Sequence, residues 1–553
     1  MKLLQLIAPF IIAICPMAHA ASHTWSGAGG DRKWSNPANW LLGGAPGSAE
    51  TDATLLFPAN ASTKQPIDDV VGLIISQLQI TGGGYIFSGS NAATLTFSGA
   101  PGDNFLVTNG NNGGGTQISS SLPIVLNATS RFTTDGSMLI DTVIKGAGGF
   151  TTNGNITFYG NGANTYTGPT TIQTGTLYLS KSDGLNSFAG SLTVTGSGIA
   201  HTYADEQIPD TSVITLSAGG TLNIDNTLEK IGPLSFAQGS ILITNSRGLL
   251  TLGADLTVIS GLGNNTILGK LTPGGTTRTL NISTGSDLKI SATISDLTAG
   301  LIKSGGGNLI LDSANTYTGD TVINDGKVSI NSPQSGPCTV GPGGTLTGIG
   351  GIGHVALSGK MLLNNIKTKN LTATAATAQV LTTLSSSTIY GHLKVTGTVD
   401  LTAATFIPTL AYIPAPGTNF LLIENDDSDP ITGTFTSLLE GASITLGGQP
   451  FTISYIGGTG NDVVLHYAGS GQLPLAISQF TSTANTTTHP GTMDHHIVCT
   501  GPPGVPIQLQ SSPDLITWIP VSSASTDVLG QLTFDVNSGS APRMFYRSLK
   551  PGS

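Results

Sequence analysis

Four groups of side chains in this sequence are of types that could do chemistry. Asp68-Asp69 and Asp205-Glu206 are adjacent carboxylates, the residue type that shares acid and base work at a glycosidic bond. The run Glu424-Asn425-Asp426-Asp427-Ser428-Asp429-Pro430 concentrates oxygen donors suited to Ca²⁺. His489, Asp494, His495, His496 and Cys499 bring zinc-type donors into one stretch. Trp25, Trp34 and Trp40 offer indole faces that could stack on sugar rings.

Each group depends on the element that carries it. Adjacent residues on a strand face opposite ways, so His495 and His496 could not both serve one ion from a regular strand. The acidic run lacks a defined calcium-loop spacing and reads as a solvated turn. Gly457-Gly458-Thr459-Gly460-Asn461-Asp462 is one unit of a calcium-binding β-roll that needs consecutive turns. Gly348-Ile349-Gly350-Gly351-Ile352-Gly353 has the spacing of a dinucleotide loop, but no helix follows to present its N-terminus. The tryptophans read first as a plug for the open end of a repeat structure, and second as a sugar site. We therefore assign no catalytic, cofactor-binding or metal-binding residues, and take Trp25, Trp34 and Trp40 as the candidate ligand-binding residues.

The positioning element is a motif that occurs twice. Asn155 to Leu179 holds Asn-Ile-Thr-Phe, then Ala-Asn-Thr-Tyr-Thr-Gly, then Thr-Thr-Ile-Gln-Thr-Gly-Thr-Leu-Tyr-Leu, and Asn308 to Ile330 repeats it through Ala314-Asn315-Thr316-Tyr317-Thr318-Gly319. Ile156 and Phe158 match Leu309 and Leu311, while Leu177 and Leu179 match Val328 and Ile330, at the two-residue spacing of half-buried strands. Asn164 and Asn315 are expected to bond to their own turn, and Gly168, Gly175, Gly319 and Gly326 to supply left-handed corners. Short strands joined by such corners predict a solenoid whose coils bury their apolar faces by stacking.

These two segments resemble the autotransporter-associated β-strand repeat, also called the passenger-associated transport repeat, of large secreted bacterial proteins. Gly343 to Gly348 and Ile453 to Leu465 resemble it more diffusely. The resemblance implies an all-β chain folded as a right-handed parallel β-helix outside the cell, adhesive or structural, with no assigned chemistry. A self-exporting member ends in a membrane barrel, and the tail after Gly471 is too short and polar to supply one.

In chain order, residues 1–20 read as a signal peptide, with Lys2, an apolar run and Ala18-His19-Ala20 before the cut; a lipid anchor at Cys15 is the weaker reading. Residues 21–57 are expected to form the tryptophan-rich cap, 58–467 the parallel β-helix, 468–475 a linker and 476–553 a small all-β, sandwich-like C-terminal domain around Trp518 and Arg543 to Arg547. Charged residues are 9% of the chain, against roughly 25% in ordinary domains. Stacked coils account for the deficit, because like charges on rungs about 4.8 Å apart repel by about 1 kcal/mol even in water. Net charge is −10 without a basic stripe, which argues against nucleic acid and an anionic membrane surface as partners. Cys338 and Cys499 fall in different predicted domains, and are expected to remain unbonded. The expected function is a secreted or cell-surface structural or adhesin-like protein, whose partner would be an extracellular polysaccharide or cell-surface glycan. The alternative is a polysaccharide-binding or polysaccharide-degrading β-helix, a lyase or hydrolase.

Overall fold

The fold follows from alternation along short strands. A computed structural model describes residues 21–41, 44–99, 102–108, 114–238, 241–245, 247–259, 263–426, 429–469, 476–501, 503–539 and 544–550. The signal-peptide expectation, Cys15 and most of the expected linker lie outside these residues, as do Asp427, Ser428 and Arg543. Among the described residues the one helical turn is the 3-10 turn Pro37–Asn39, and everything else is strand, turn or irregular chain. The chain divides into two compact units, residues 1–253 and 254–553.

The first unit is a parallel β-solenoid. Ser22–Thr24 pairs in parallel with Ala53–Phe57, so the tryptophan segment already contributes a rung. Through Phe150–Gly160, Thr170–Lys181 and Leu192–Thr202 the register advances 20–23 residues per coil. One inward column reads Leu55, Leu78, Phe105, Phe132, Thr152, Ile172, Val194, Leu216 and Phe236, each directly opposite the next and each fully buried. Apolar side chains thus pack like on like. Phe132 lies 5.3 Å from Phe105 and 4.7 Å from Phe150, contacts that add about 0.5–1.5 kcal/mol each beyond burial.

The second unit repeats this logic. Leu288, Leu309, Val328, Leu346, Met361, Val380 and Phe406 form a buried parallel column. Parallel stacking stops at Thr418–Asn425, which pairs in parallel with Leu393–Val395 but antiparallel with Asp462–Tyr467. Gln449–Gly457 and Ser443–Leu446 complete an antiparallel meander. The expected parallel helix to residue 467 is therefore shortened: Thr405–Leu410 still pairs in parallel with Gln379–Leu384, Pro408 opposite Thr382, and the meander begins after the turn that carries Pro414 and Pro416. Beyond it, two three-stranded antiparallel sheets enclose a core of Ile497, Cys499, Ile507, Leu509 and Phe534.

Glycine makes the coil spacing possible. Gly175 and Gly326 take φ of 72° and 71°, as expected of corners. Gly168 and Gly319 do not have positive φ; instead a Cβ at Gly168 would overlap the backbone of Gly148, and one at Gly319 that of Ala299, in the preceding coil. They are close-approach glycines. Gly319→Ala is expected to destabilise the second unit by about 1–3 kcal/mol in denaturant titration, as an overpacked site does. Gly351→Ala, with open space at its Cβ and no left-handed φ, is expected to change stability by less than about 0.5 kcal/mol.

Candidate functional site

The repeated motif builds links between coils. Asn164 is buried; its Oδ1 accepts from the Ile144 amide at 2.9 Å and its Nδ2 donates to the Ser187 carbonyl at 2.8 Å, so it bridges the coils before and after its own. Asn315 repeats the first bond, accepting from the Ile294 amide at 2.8 Å. The expectation that these asparagines close their own turns is corrected. Tyr166 and Tyr317 point into the core, each hydroxyl 2.6 Å from the hydroxyl of Thr170 or Thr321. Those two pairs lie within one coil, whereas Tyr317 also donates to Gln334 Oε1 in the next coil at 2.6 Å; Asn315 Nδ2 is buried without a partner among the described residues.

The acidic pairs are split by strand geometry. Asp68 is 1% exposed with Oδ1 accepting from the Val70 amide, while Asp69 accepts from the amide and hydroxyl of Ser35 in the entry segment. Asp205 accepts both an Arg247 guanidinium bond at 2.8 Å and the Leu228 amide. Glu206 stands in a left-handed conformation at φ 54°. The buried carboxylate nearby is Glu229, which sequence reading passed over. It is 1% exposed and accepts from the amides of Gln207 and Ile208 at 3.0 and 2.9 Å. Two-residue alternation back from buried Ile231 was the available signal, since it turns Glu229 inward and leaves Leu228 exposed.

The remaining candidates are also occupied structurally. Trp25 and Trp34 are fully buried and Trp40 is 5% exposed, packed against one another and Phe57 with ring centroids 5.2–6.1 Å apart. Trp25 Nε1 donates to the Thr63 carbonyl and Trp40 Nε1 to that of Trp34. The sugar-stacking expectation for these three is corrected, because packing leaves no indole face open to a ring. His495 is buried against Phe480 and Tyr546, whereas His496 faces Asp535 at 2.7 Å, so the two histidines do point apart. Cys338 and Cys499 are free and buried. The two calcium-like loops meet: Asn461 Nδ2 donates to the carbonyls of Asp426 and Asp429, and Asp462 accepts from the amides of Asn425 and Thr459. The Asp462 carboxylate and the carbonyls of Asp426 and Asp429 accept from N–H donors. Among the described residues Asn425 Oδ1 is buried without a partner, and no cluster of three or more His, Cys, Asp or Glu side chains is arranged to hold a metal ion.

One groove stands out in the second unit. It encloses about 810 Å³ between the end of Cys338–Gly348, the corner after Lys360–Leu362 and the loop after Gln379–Leu384. Its lining includes Thr347, Asn364, Asn365, Thr383, Tyr390 and His392. Sequence reading missed it because these residues lie on three coils, and each looks like an ordinary polar corner.

Comparison with known proteins bears on these elements. The passenger-associated-transport-repeat family matches residues 153–179 and 301–330, the two segments that contain Asn164 and Asn315. Over 222 residues, 40% of this chain, the sequence is 32% identical to the Adhesin BmaC autotransporter of Brucella suis biovar 1 (strain 1330). The aligned stretch is 6% of that adhesin, so the chain spans a small part of its curated relative. A crystal structure of the Hap adhesin of Haemophilus influenzae aligns over 75% of this chain and 64% of its own, at 11% identity and a TM-score of 0.18, too loose to carry an argument.

The buried charges of the first unit make its stability pH-dependent. Burial pushes Asp68 up to about 7 and Glu229 up to about 8, so the folded state holds these protons more tightly than the unfolded chain. Their contribution is complete below the ordinary carboxylate range and is lost as pH rises through about 7 and about 8. Burial holds Lys181 down to about 8, and its contribution has the opposite sense: present above 10.5, lost as pH falls through about 8. The contribution of these three groups is expected to reach its minimum near pH 8 in thermal unfolding, and Asp68→Asn to flatten the acid-side slope. A slope unchanged in that variant would contradict the assignment.

Proposed function

We propose that this chain, a parallel β-solenoid carrying two passenger-associated-transport repeats, works outside the cell as an adhesin-like surface element. The observation that carries the reading is the use made of the repeat itself. Its asparagines bond coil to coil, and Tyr317 does so through Gln334, which leaves the outward residues of the coils free to vary and to make contact. The relative that shares 32% identity over 222 residues is an adhesin, and the same role for this chain is our inference. Among the described residues no helix is long and apolar enough to cross a membrane, a statement that leaves β-barrels aside.

The reading is non-enzymatic. It is supported by the state of the carboxylates: Asp68 and Glu229 are buried on backbone amides, Asp205 is paired with Arg247, and Asp210 is 2.6 Å from Lys230. Acid-base cleavage of a glycosidic bond needs two carboxyl groups flanking an accessible bond. Purified chain from residue 21 onward is expected to adhere to cell surfaces or immobilised extracellular polymers without releasing reducing ends from them. Release of reducing ends in proportion to protein would overturn the non-enzymatic reading, and failure to adhere to any such surface would overturn the adhesive one.

A further inference from the structure

We infer that the 810 Å³ groove of the second unit is a binding site for neutral oligosaccharide. This rests on the adhesive reading and names its ligand class. The groove volume lies within the roughly 300–1,000 Å³ of small-molecule sites, and its lining holds no Lys, Arg, Asp or Glu. Asn364, Asn365, Thr383, Ser387 and His392 make no side-chain hydrogen bond within the described protein, so their donors and acceptors are uncommitted. The Tyr390 hydroxyl accepts from the Leu421 amide at 3.3 Å, which leaves its O–H to donate. Thr347, by contrast, is spent on the Leu362 carbonyl. Uncharged donors and acceptors from three successive coils therefore converge on one hollow.

That chemistry selects among ligands. A phosphate or carboxylate ligand is best held by Arg or Lys and a cationic one by a carboxylate, and the lining has none of these, His392 being its one residue able to take up a charge. A lipid needs a continuous apolar wall, whereas here Ile389, 68% exposed, stands between Thr388 and Tyr390, and Leu362 and Leu363 adjoin Asn364 and Asn365. A neutral sugar presents hydroxyls that match amides and hydroxyls, and C–H faces that match Tyr390 and Ile389.

The groove is also preformed. Ser386 Oγ accepts from the amides of Thr388 and Ile389 at 3.2 and 2.8 Å, and the amides of Ser385 and Ser386 both donate to the Ile389 carbonyl, so the loop ties itself shut. Tyr390 stands edge-on to Phe420 at 5.2 Å. Gly391 lets the loop return against the wall, since a Cβ there would overlap the Leu363 carbonyl. Little ordering remains to be done when a ligand enters.

The test is calorimetric titration of the whole mature chain with maltohexaose, cellohexaose, xylohexaose, mannohexaose and, as the anionic comparison, hexagalacturonate, alongside adherence to cell surfaces. At least one neutral hexaose is expected to bind, and the exposed pair Asn364→Ala/Thr383→Ala to weaken it roughly ten-fold or more, with thermal stability unchanged. Ser387→Trp, which fills the hollow without touching the coil core, is expected to abolish it. Binding of hexagalacturonate alone, neutral binding that survives both variants, or no hexaose bound would each overturn the inference. Adherence retained in those cases leaves the adhesive reading standing, and adherence lost in the unmutated chain removes both.

Discussion

Everything in this molecule depends on the backbone-to-backbone spacing of parallel coils. Each coil must lie one hydrogen-bonded rung, about 4.8 Å, from the next. Corners obey the same spacing as strands, which is why a methyl group at Gly168 or Gly319 would enter the preceding coil. The spacing also dictates side-chain chemistry, because every residue meets its counterpart one rung away. Inside, apolar meets apolar, as in the column from Leu55 to Phe236, which Thr152 alone interrupts. Few charges are tolerated on such a lattice, and 9% of the chain is charged.

The buried charges show how the lattice handles exceptions. Lys303 stands in an inward column between Leu280 and Ile323, at the place where the first repeat has Thr152 opposite Ile172. Its Nζ donates to the carbonyls of Ser304, Gly305 and Asp325. Lys181 does the same with the carbonyls of Thr142 and Tyr159, and Glu229 takes two amides. Corner peptides left without a ladder partner are thus satisfied by a charged side chain from a neighbouring position. Ionisable groups here serve the backbone, which is why residue type alone misleads a search for chemistry.

The alternation of Ile156 and Phe158, and of Leu177 and Leu179, was legible in the sequence as strand, and their pairing across coils followed from the repeat. Relations between coils were not legible. Asn164 reads as a turn residue because asparagine favours turns, yet its partners Ile144 and Ser187 are about twenty residues away on either side. Gly168 reads as a left-handed corner, yet what requires it is the backbone of Gly148. The groove residues Asn364, Thr383 and His392 share no local pattern at all, since a solenoid assembles its surface across coils and a sequence motif runs along one.

The repeat's asparagines, with Tyr317, hold coils together, and the proposed recognition falls to the outer surface. Hydrogen exchange on the intact chain tests it most directly. Asn164→Ala is expected to speed exchange at the Ile144 amide, which it caps from the next coil, and to loosen the coil carrying Ser187. Faster exchange confined to residues beside 164, with Ile144 as protected as before, would contradict it.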